Sequence, residues 1–150
     1  MIKIIAVGKL KEQYLKDLCE DYLKRINKHH KTIIVEVKDE NSLAKERDNI
    51  LKYIDEDELI IILDKDGKDK CNSKEFAERM DGFFSYHHIS KIAFIIGGSD
   101  GLHDDIKYHS HAKFHLSFSN LTFPHGLFRG VLLEQIYRSF KINNNETYHK

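Results

Sequence analysis

Three short segments of the sequence combine residue types that could hold a ligand, and the first is rich in glycine. Residues 97–101 read Gly-Gly-Ser-Asp-Gly and follow the apolar run Ile92–Ile96. Three glycines in five positions let a ligand approach the backbone closely, because glycine has no Cβ. The pattern is not GxGxxG, and a tight strand-to-helix turn explains it equally well.

The second segment spans residues 116–123, Leu-Ser-Phe-Ser-Asn-Leu-Thr-Phe, and runs into Pro124 and His125. Such a loop could surround an adenine ring with apolar side chains and present backbone groups to its edge. It could equally be an ordinary connection between a strand and a helix. The third segment is Leu63 with Asp64, which could contact a ligand or cap a turn. All three follow predicted strands, and ligands of open parallel sheets bind beyond the carboxyl ends of strands.

The ten histidines raise the possibility of a metal site. His109 and His111 flank a predicted helix-to-strand turn and are expected at the surface. The sequence contains no HExxH motif and no Cys-x-x-Cys pair, which are the spacings typical of zinc sites. We therefore expect no structural or catalytic metal.

The elements that must position these segments alternate between strands and helices. Apolar or β-branched runs predict strands at residues 2–8, 32–37, 58–63, 92–96 and about 114–118. Amphipathic spacing and capping residues predict helices at residues 12–26, 42–53, 73–84, 103–108 and 124–142. This order predicts an α/β fold with a mostly parallel sheet and helices on both faces. No linker or repeat interrupts it, so we expect a single domain over residues 1–150.

Composition favours a soluble, cytoplasmic protein. With 41% hydrophobic and 32% charged residues, the chain is typical of globular rather than disordered proteins. No apolar run approaches the roughly 20 residues that span a bilayer. The apolar start of the chain is too short for a signal peptide. Without an export signal, Cys19 and Cys71 are expected to be reduced thiols.

The net charge is zero, but charge is unevenly distributed. Residues 1–31 carry 8 Lys/Arg and 4 Asp/Glu, residues 32–81 carry 9 and 15, and residues 82–150 carry 7 and 5 with eight histidines. The two ends could form a surface for RNA, or the charges could simply be scattered over the surface.

The last predicted helix is apolar over more than one face. The apolar positions are Leu127, Phe128, Val131, Leu132, Leu133, Ile136, Tyr137 and Phe140. A helix with one solvated face would show a narrower stripe. The helix is therefore expected to contact both the sheet and a partner subunit, or to be a central core helix of a monomer.

Taken together, several motifs resemble one family over essentially the whole chain and in the same order. The motifs are Val-Gly-Lys-Leu-Lys at residues 7–11, the glycine-rich segment within residues 94–102, residues 116–125, residues 129–138 and Tyr-His-Lys at residues 148–150. This set is similar to the RlmH family of large-subunit ribosomal RNA pseudouridine N3-methyltransferases, which belong to the trefoil-knot (SPOUT) superfamily. The resemblance implies a deep C-terminal trefoil knot, although true knots are almost absent among folds. It also implies a homodimer.

The resemblance further implies that S-adenosylmethionine binds in the knot as the methyl donor. Its expected contacts, carried over by position, are Leu63, Gly97, Phe118, Ser119, Asn120, Leu121, Thr122 and Phe123. Side chains of this loop vary in the family, which fits recognition of the adenine by backbone atoms. Gly126 departs from the family pattern and could loosen the first turn of the last helix.

The implied acceptor is N3 of a pseudouridine in 23S ribosomal RNA of the assembled ribosome. The candidates for the acceptor side are His125, Arg129, Arg138, Tyr148 and His149. An arginine could hold phosphate or stabilise negative charge on the base, and a histidine could take the N3 proton. Arg138 could instead simply pair with Glu134, one helical turn away. A knotted methyltransferase for another ribosomal or transfer RNA base, or a non-catalytic nucleotide-binding module, are the alternatives.

Overall fold

A computed structural model describes residues 1–150, and it confirms the predicted alternation of strands and helices. The strands are β1 (Ile2–Val7), β2 (Thr32–Val37), β3 (Leu59–Leu63), β4 (Asp69–Lys70), β5 (Ile92–Ile96) and β6 (Ala112–Ser117). The helices are α1 (Gln13–Asn27), α2 (Leu43–Leu51), α3 (Ser73–Asp81), α4 (Asp104–Lys107) and α5 (His125–Asn143). No helix combines the length and apolar character that crossing a bilayer requires.

Two local details differ from the sequence prediction. The helix predicted over residues 73–84 ends at Asp81, and the chain continues as a π-helical segment, Gly82–Tyr86. Gly82 lies at the junction, where its low helix propensity weakens the regular α-helical pattern. The two-residue strand β4 was not predicted, because its polar residues carry no strand pattern and only pairing with β6 defines it.

The six strands form one sheet in the order β2-β1-β5-β3-β6-β4. The pairs β1·β5, β3·β5, β3·β6 and β4·β6 all run parallel, which confirms the predicted parallel sheet. Central strands such as Leu59–Leu63 and Ile92–Ile96 are continuous runs of apolar residues, as expected for strands buried on both faces.

The sheet carries a core on one face that includes residues of α2 and α4. Its members include Ile5, Val7, Ile50, Ile60, Ile62, Ile95 and Ile106. The alternating residues Ile4, Ile61 and Phe94 belong to the opposite face and are buried as well. Both faces of the sheet are therefore withdrawn from water, as the sequence predicts.

The chain divides into two compact units. The first, which we call the sheet unit, comprises Met1–Lys9, Ile33–Lys70 and Lys91–Thr122. The second, the helical unit, comprises Leu10–Thr32, Cys71–Ser90 and Phe123–Lys150 and contains α1, α3 and α5. The prediction of a single domain stays a prediction.

Within the helical unit, two glycines bring α5 close to α1. A Cβ on Gly126 would lie 2.6 Å from Leu15 Cδ1, and one on Gly130 would lie 2.5 Å from Leu18 Cδ2. The sequence suggested that Gly126 could loosen the first turn of α5. The structure shows instead that Gly126 allows close packing against α1. It lies one turn from Gly130 on the surface that α1 packs against, where a larger residue would collide.

Helix α5 is the centre of the helical unit. Leu132, Leu133 and Ile136 are fully buried, while Val131 and Phe140 remain partly exposed. Much of the wide apolar surface predicted for this helix is therefore core of the single chain.

Candidate functional site

The parallel register places the ends of three strands side by side in the sheet unit. Leu63 at the end of β3 is paired with Ile96 of β5 on one side and with Leu116 of β6 on the other. The chain leaves these strands through residues 64–68, 97–102 and 118–122. The three segments singled out in the sequence therefore leave from one carboxyl edge, the position at which open parallel sheets bind ligands.

The glycine-rich loop after β5 folds tightly on itself. The Gly101 amide donates to the Gly98 carbonyl oxygen at 3.1 Å, and Gly101 has a φ of +79°. A Cβ on Gly97 would lie 2.6 Å from the Gly101 carbonyl oxygen and 2.9 Å from Leu102 Cγ. Glycine at position 97 is thus required by the loop's own backbone, so a bulky substitution there would disturb the turn whether or not a ligand binds.

The loop after β6 is shaped by local hydrogen bonds. The hydroxyl of Ser117 donates to the Lys65 carbonyl oxygen at 2.8 Å, which joins this loop to the loop after β3. The Leu121 amide donates to Ser119 Oγ at 3.0 Å. Lys70 Nζ donates to Asn120 Oδ1 at 3.3 Å.

These contacts hold the loop of residues 118–122 while leaving three of its residues exposed. Asn120, Leu121 and Thr122 are exposed, and Leu121 has 71% of its surface accessible. Leu63 is buried, and Phe118 is half-buried. Apolar Leu63 and Phe118 beside an exposed stretch of loop are compatible with the binding of an adenine ring.

The other two predicted contacts at these strand ends have different surroundings. Asp64 Oδ1 accepts a hydrogen bond from the Asp66 amide at 3.0 Å, and Asp64 Oδ2 lies 3.8 Å from Lys107 Nζ. Asp64 therefore stabilises the turn after β3, which is the second of the two roles that the sequence left open for it. Phe123 belongs to the helical unit, where its ring stacks on Phe128 with centroids 5.9 Å apart.

The helical unit brings three of the five predicted acceptor-side residues together. Arg138 donates through Nε to Glu134 Oε1 at 3.0 Å, which is the pairing considered from the sequence. The Tyr148 hydroxyl donates to the same oxygen, also at 3.0 Å. Arg138 Nη1 lies 3.0 Å from His149 Nδ1. Glu134 thus links helix α5 to the end of the chain.

The contact with Arg138 fixes the tautomer of His149. A guanidinium has only donors and keeps its proton, so His149 Nδ1 must accept in this hydrogen bond. This leaves a ring proton on Nε2. In this arrangement His149 presents an N–H donor, and its other ring nitrogen is already occupied.

Tyr148 lies among aromatic and cationic groups. Its hydroxyl is 3.4 Å from that of Tyr22, and its ring makes an edge contact with Tyr137 at 4.9 Å. The Arg138 guanidinium lies 4.9 Å from the same ring. Burial, reinforced by the hydrogen bonds to Tyr22 and Glu134, raises the pKa of Tyr148 well above its usual value. The phenol is therefore protonated at neutral pH and can donate a hydrogen bond.

His125 and Arg129 lie in the first turns of α5, away from this cluster along the helix. His125 is the first residue of α5, and Arg129 is only 1% exposed. The nine residues between Arg129 and Arg138 correspond to about 14 Å along the helix axis.

Sequence reasoning missed Tyr22, which is 126 positions from Tyr148 in the chain and carries no local signal.

The structure contains no group of three or more His, Cys, Asp or Glu side chains arranged to hold a metal ion. His109 and His111 are partly buried rather than fully at the surface, with ring centroids 5.0 Å apart. Burial, with a smaller contribution from His111, lowers the pKa of His109. Their partial burial differs from the sequence expectation, because the turn between α4 and β6 folds the two rings together.

A parallel sheet with helices around it and three loops at its carboxyl edge defines an α/β protein. Residues 1–149 match the model of a protein family described as predicted SPOUT methyltransferase. The chain therefore belongs to the SPOUT methyltransferase family.

Curated relatives agree with this assignment. Ribosomal RNA large subunit methyltransferase H of Bacillus cytotoxicus is 45% identical, with 99% of each chain covered. The protein of the same name from Bacillus thuringiensis subsp. konkukian is 44% identical over the same share of both chains. A solved structure described as a probable methylase family protein from Haemophilus influenzae Rd KW20 matches with a TM-score of 0.56 and 16% identity. It covers 99% of this chain and 70% of that one, and it supports the fold alone.

Proposed function

We propose that this chain is an S-adenosylmethionine-dependent methyltransferase that modifies N3 of a pseudouridine in 23S ribosomal RNA of the assembled ribosome. The observation that carries the proposal is the full-length similarity to relatives named ribosomal RNA large subunit methyltransferase H. The convergence of three strand ends at one edge of the sheet supports a methyl-donor site there. An enzyme acting on ribosomes would work in the cytoplasm, as one domain with a C-terminal trefoil knot.

The residues proposed to hold S-adenosylmethionine are Leu63, Gly97 and the loop of residues 118–123. When bound, this cofactor supplies a methyl group on a sulfonium, which is already activated and needs no metal. The backbone of residues 120–122 would meet the adenine edge, and Leu63 with Phe118 would supply apolar contact. The hydroxyl of Ser117 keeps the loop in place by its bond to Lys65.

The acceptor side would be formed by the cluster at the end of the chain. Arg138 would stabilise negative charge that develops on the base when N3 loses its proton. Tyr148 and the Nε2–H of His149 would donate hydrogen bonds that orient the base. Because its Nδ1 accepts from Arg138, His149 has no free ring nitrogen to take the N3 proton. His125 lies thirteen residues before Arg138 on α5, about 20 Å along the helix axis, so within one chain it does not reach a base held by this cluster, which leaves water to take the proton.

A homodimer is proposed as the working form. Phe128 and Val131, which lie about one turn apart on the same side of α5, are partly exposed in the single chain. Apolar residues in one stripe of a helix would be covered by a second copy.

The proposal is tested by methyl transfer from labelled S-adenosylmethionine to ribosomes from cells that lack this protein. We expect label in 23S ribosomal RNA, and mass spectrometry should locate it on a pseudouridine. Label in transfer RNA or on another ribosomal base would favour the alternative substrates. Calorimetry that shows binding of NAD or ATP but not of S-adenosylmethionine would instead favour a nucleotide-binding module.

A matched pair of variants separates the acceptor side from the methyl-donor side. His149→Gln should reduce transfer strongly while affinity for S-adenosylmethionine is unchanged. His87→Gln, at an exposed position outside the cluster, should leave both unchanged. Equal transfer by the two variants would remove His149 from the acceptor site.

A further inference from the structure

A groove in the helical unit lies apart from the residues assigned above. It is formed where the ends of α1 and α5 meet α3 and the π-helical segment, and it encloses about 270 Å³. Its wall is made mainly by His29, His30, Asp81, Phe84, Phe140 and Asn144. The volume falls just below the range of roughly 300–1,000 Å³ typical of sites for drug-sized ligands, so the groove suits one planar ring system.

Stacked rings form one side of the groove. His29 and Phe140 lie with their centroids 5.6 Å apart and their planes only 5° from parallel. His30 lies 4.5 Å from the ring of Phe84 and 5.9 Å from that of Phe140. All four rings are half-buried, so part of their surface remains accessible. Aromatic side chains of this kind are the surfaces on which unpaired bases stack.

The groove also offers polar groups of both kinds. The Asp81 carboxylate lines the same groove as an acceptor. The side-chain amide of Asn144, which also lines the groove, donates to His29 Nδ1 at 3.3 Å.

The charge around the groove suits a polyanion. The helical unit carries 12 Lys/Arg against 9 Asp/Glu, together with six of the ten histidines. Lys28 and Lys31 flank the two histidines of the groove, and both are exposed. They could contact phosphates on either side of a base held in the groove.

We propose that this groove binds one unpaired base of single-stranded RNA, with the flanking phosphates on Lys28 and Lys31. The base stacks on the rings of His29, Phe84 and Phe140 and donates a hydrogen bond to the Asp81 carboxylate. The choice of RNA rests on the proposed function, and the groove would add a second contact with the ribosomal RNA beyond the acceptor cluster.

The test uses two RNA hexamers as probes, hexa-adenylate and an abasic hexamer with the same backbone. Fluorescence anisotropy with the full chain should show tighter binding of hexa-adenylate, and the ring signals of His29 and His30 should shift in NMR spectra. Phe140→Leu keeps the apolar bulk and removes the ring, so it should weaken hexa-adenylate binding about tenfold, in line with the stacking energy of one base. Tyr108→Leu, at an aromatic position with 76% exposure in the sheet unit, is the control and should bind normally.

Equal affinity for the two hexamers would overturn the proposal, because phosphate contacts alone would then account for binding. Unchanged His29 and His30 signals, or their protection by a second copy of the chain, would overturn it as well. Methyl transfer to ribosomes is measured in parallel with the unmodified chain. Methyl transfer without base binding would reject the proposed role of the groove and leave the proposed function intact. Base binding without methyl transfer would support the role of the groove and reject the proposed function.

Discussion

The sheet unit and the helical unit differ in what holds their buried surfaces together. In the sheet unit, backbone pairing fixes the register of apolar strands such as Leu59–Leu63 and Ile92–Ile96. In the helical unit, the helices meet through close contacts of individual residues, such as Gly130 against Leu18. Strand pairing tolerates many apolar side chains, whereas a contact at a glycine tolerates very few.

The two units also differ in charge and in the roles proposed for them. The sheet unit carries 12 Lys/Arg and 15 Asp/Glu, and the helical unit carries 12 and 9. The neutral chain is thus divided into an acidic part and a basic part. The candidate methyl-donor loop lies almost entirely in the acidic unit, and the residues proposed to meet RNA all lie in the basic one. The small excess of positive charge lies in the unit proposed to meet RNA, where it would favour phosphate.

The largest effect is expected from a charge placed inside the helical unit. Ile136 is fully buried, so Ile136→Glu would bury an unpaired carboxylate. We expect a loss on the order of 4 kcal/mol in the free energy of unfolding, measured by urea denaturation.

Val131→Glu, on the partly exposed side of the same helix, is the matched control. The single chain should lose less than about 1 kcal/mol, since the carboxylate reaches water. Light scattering that shows monomers for this variant and dimers for the unmodified chain would support the proposed homodimer. A monomeric unmodified chain would reject it, and equal losses for both variants would contradict the burial of Ile136.

A smaller loss is expected where α5 approaches α1. A Cβ on Gly130 would lie 2.5 Å from Leu18 Cδ2, so Gly130→Ala should cost about 1–3 kcal/mol through overpacking. Gly82→Ala is the control, because its Cβ would meet no atom within 4 Å and its φ is −56°. That substitution should be neutral or stabilise by up to about 1 kcal/mol. Destabilisation by Gly82→Ala, with none by Gly130→Ala, would reverse the assignment of the close contact.

The same difference between the units explains how far the sequence could be interpreted. The strands, the parallel sheet and the three strand ends of the sheet unit could be predicted, because apolar runs and turn residues lie next to each other in the chain. The packing role of Gly126 and the contact between Tyr22 and Tyr148 could not, because each depends on residues far apart in sequence. Arg138 pairing with Glu134 was foreseen, since both lie on one helix at a spacing of four. The hydrogen bond from Arg138 to His149 could not be predicted, because His149 lies beyond the end of that helix.

The next prediction concerns the link between α5 and the end of the chain. Glu134→Gln removes the charge that accepts from Arg138 and Tyr148. We expect a loss of about 1 kcal/mol in stability and a fall in methyl transfer of roughly tenfold or more, because the acceptor groups lose their positions. Affinity for S-adenosylmethionine should be unchanged.

Glu146→Gln is the control, since this glutamate pairs with Lys141 and is 42% exposed. It should change neither transfer nor stability appreciably. If both variants transfer methyl groups normally, Glu134 does not position the acceptor side. If Glu134→Gln loses stability but transfers normally, the network serves the fold alone.

The smallest effect is a dependence of stability on alkaline pH. Burial, together with the hydrogen bonds to Tyr22 and Glu134, raises the pKa of Tyr148 in the folded chain above its unfolded value of 10.0. At a pH above about 10 the unfolded chain therefore releases a proton that the folded chain keeps. The stability contributed by this group is complete below that pH and is lost as the pH rises further.

Urea denaturation between about pH 9 and pH 11 should show a steeper loss for the unmodified chain than for Tyr148→Phe, which has no phenol to titrate. Tyr86→Phe, at a position with 78% exposure, should follow the unmodified chain. Parallel curves for the unmodified chain and Tyr148→Phe would mean that Tyr148 is as accessible to water in the folded chain as in the unfolded one, and that the end of the chain is not held against α5.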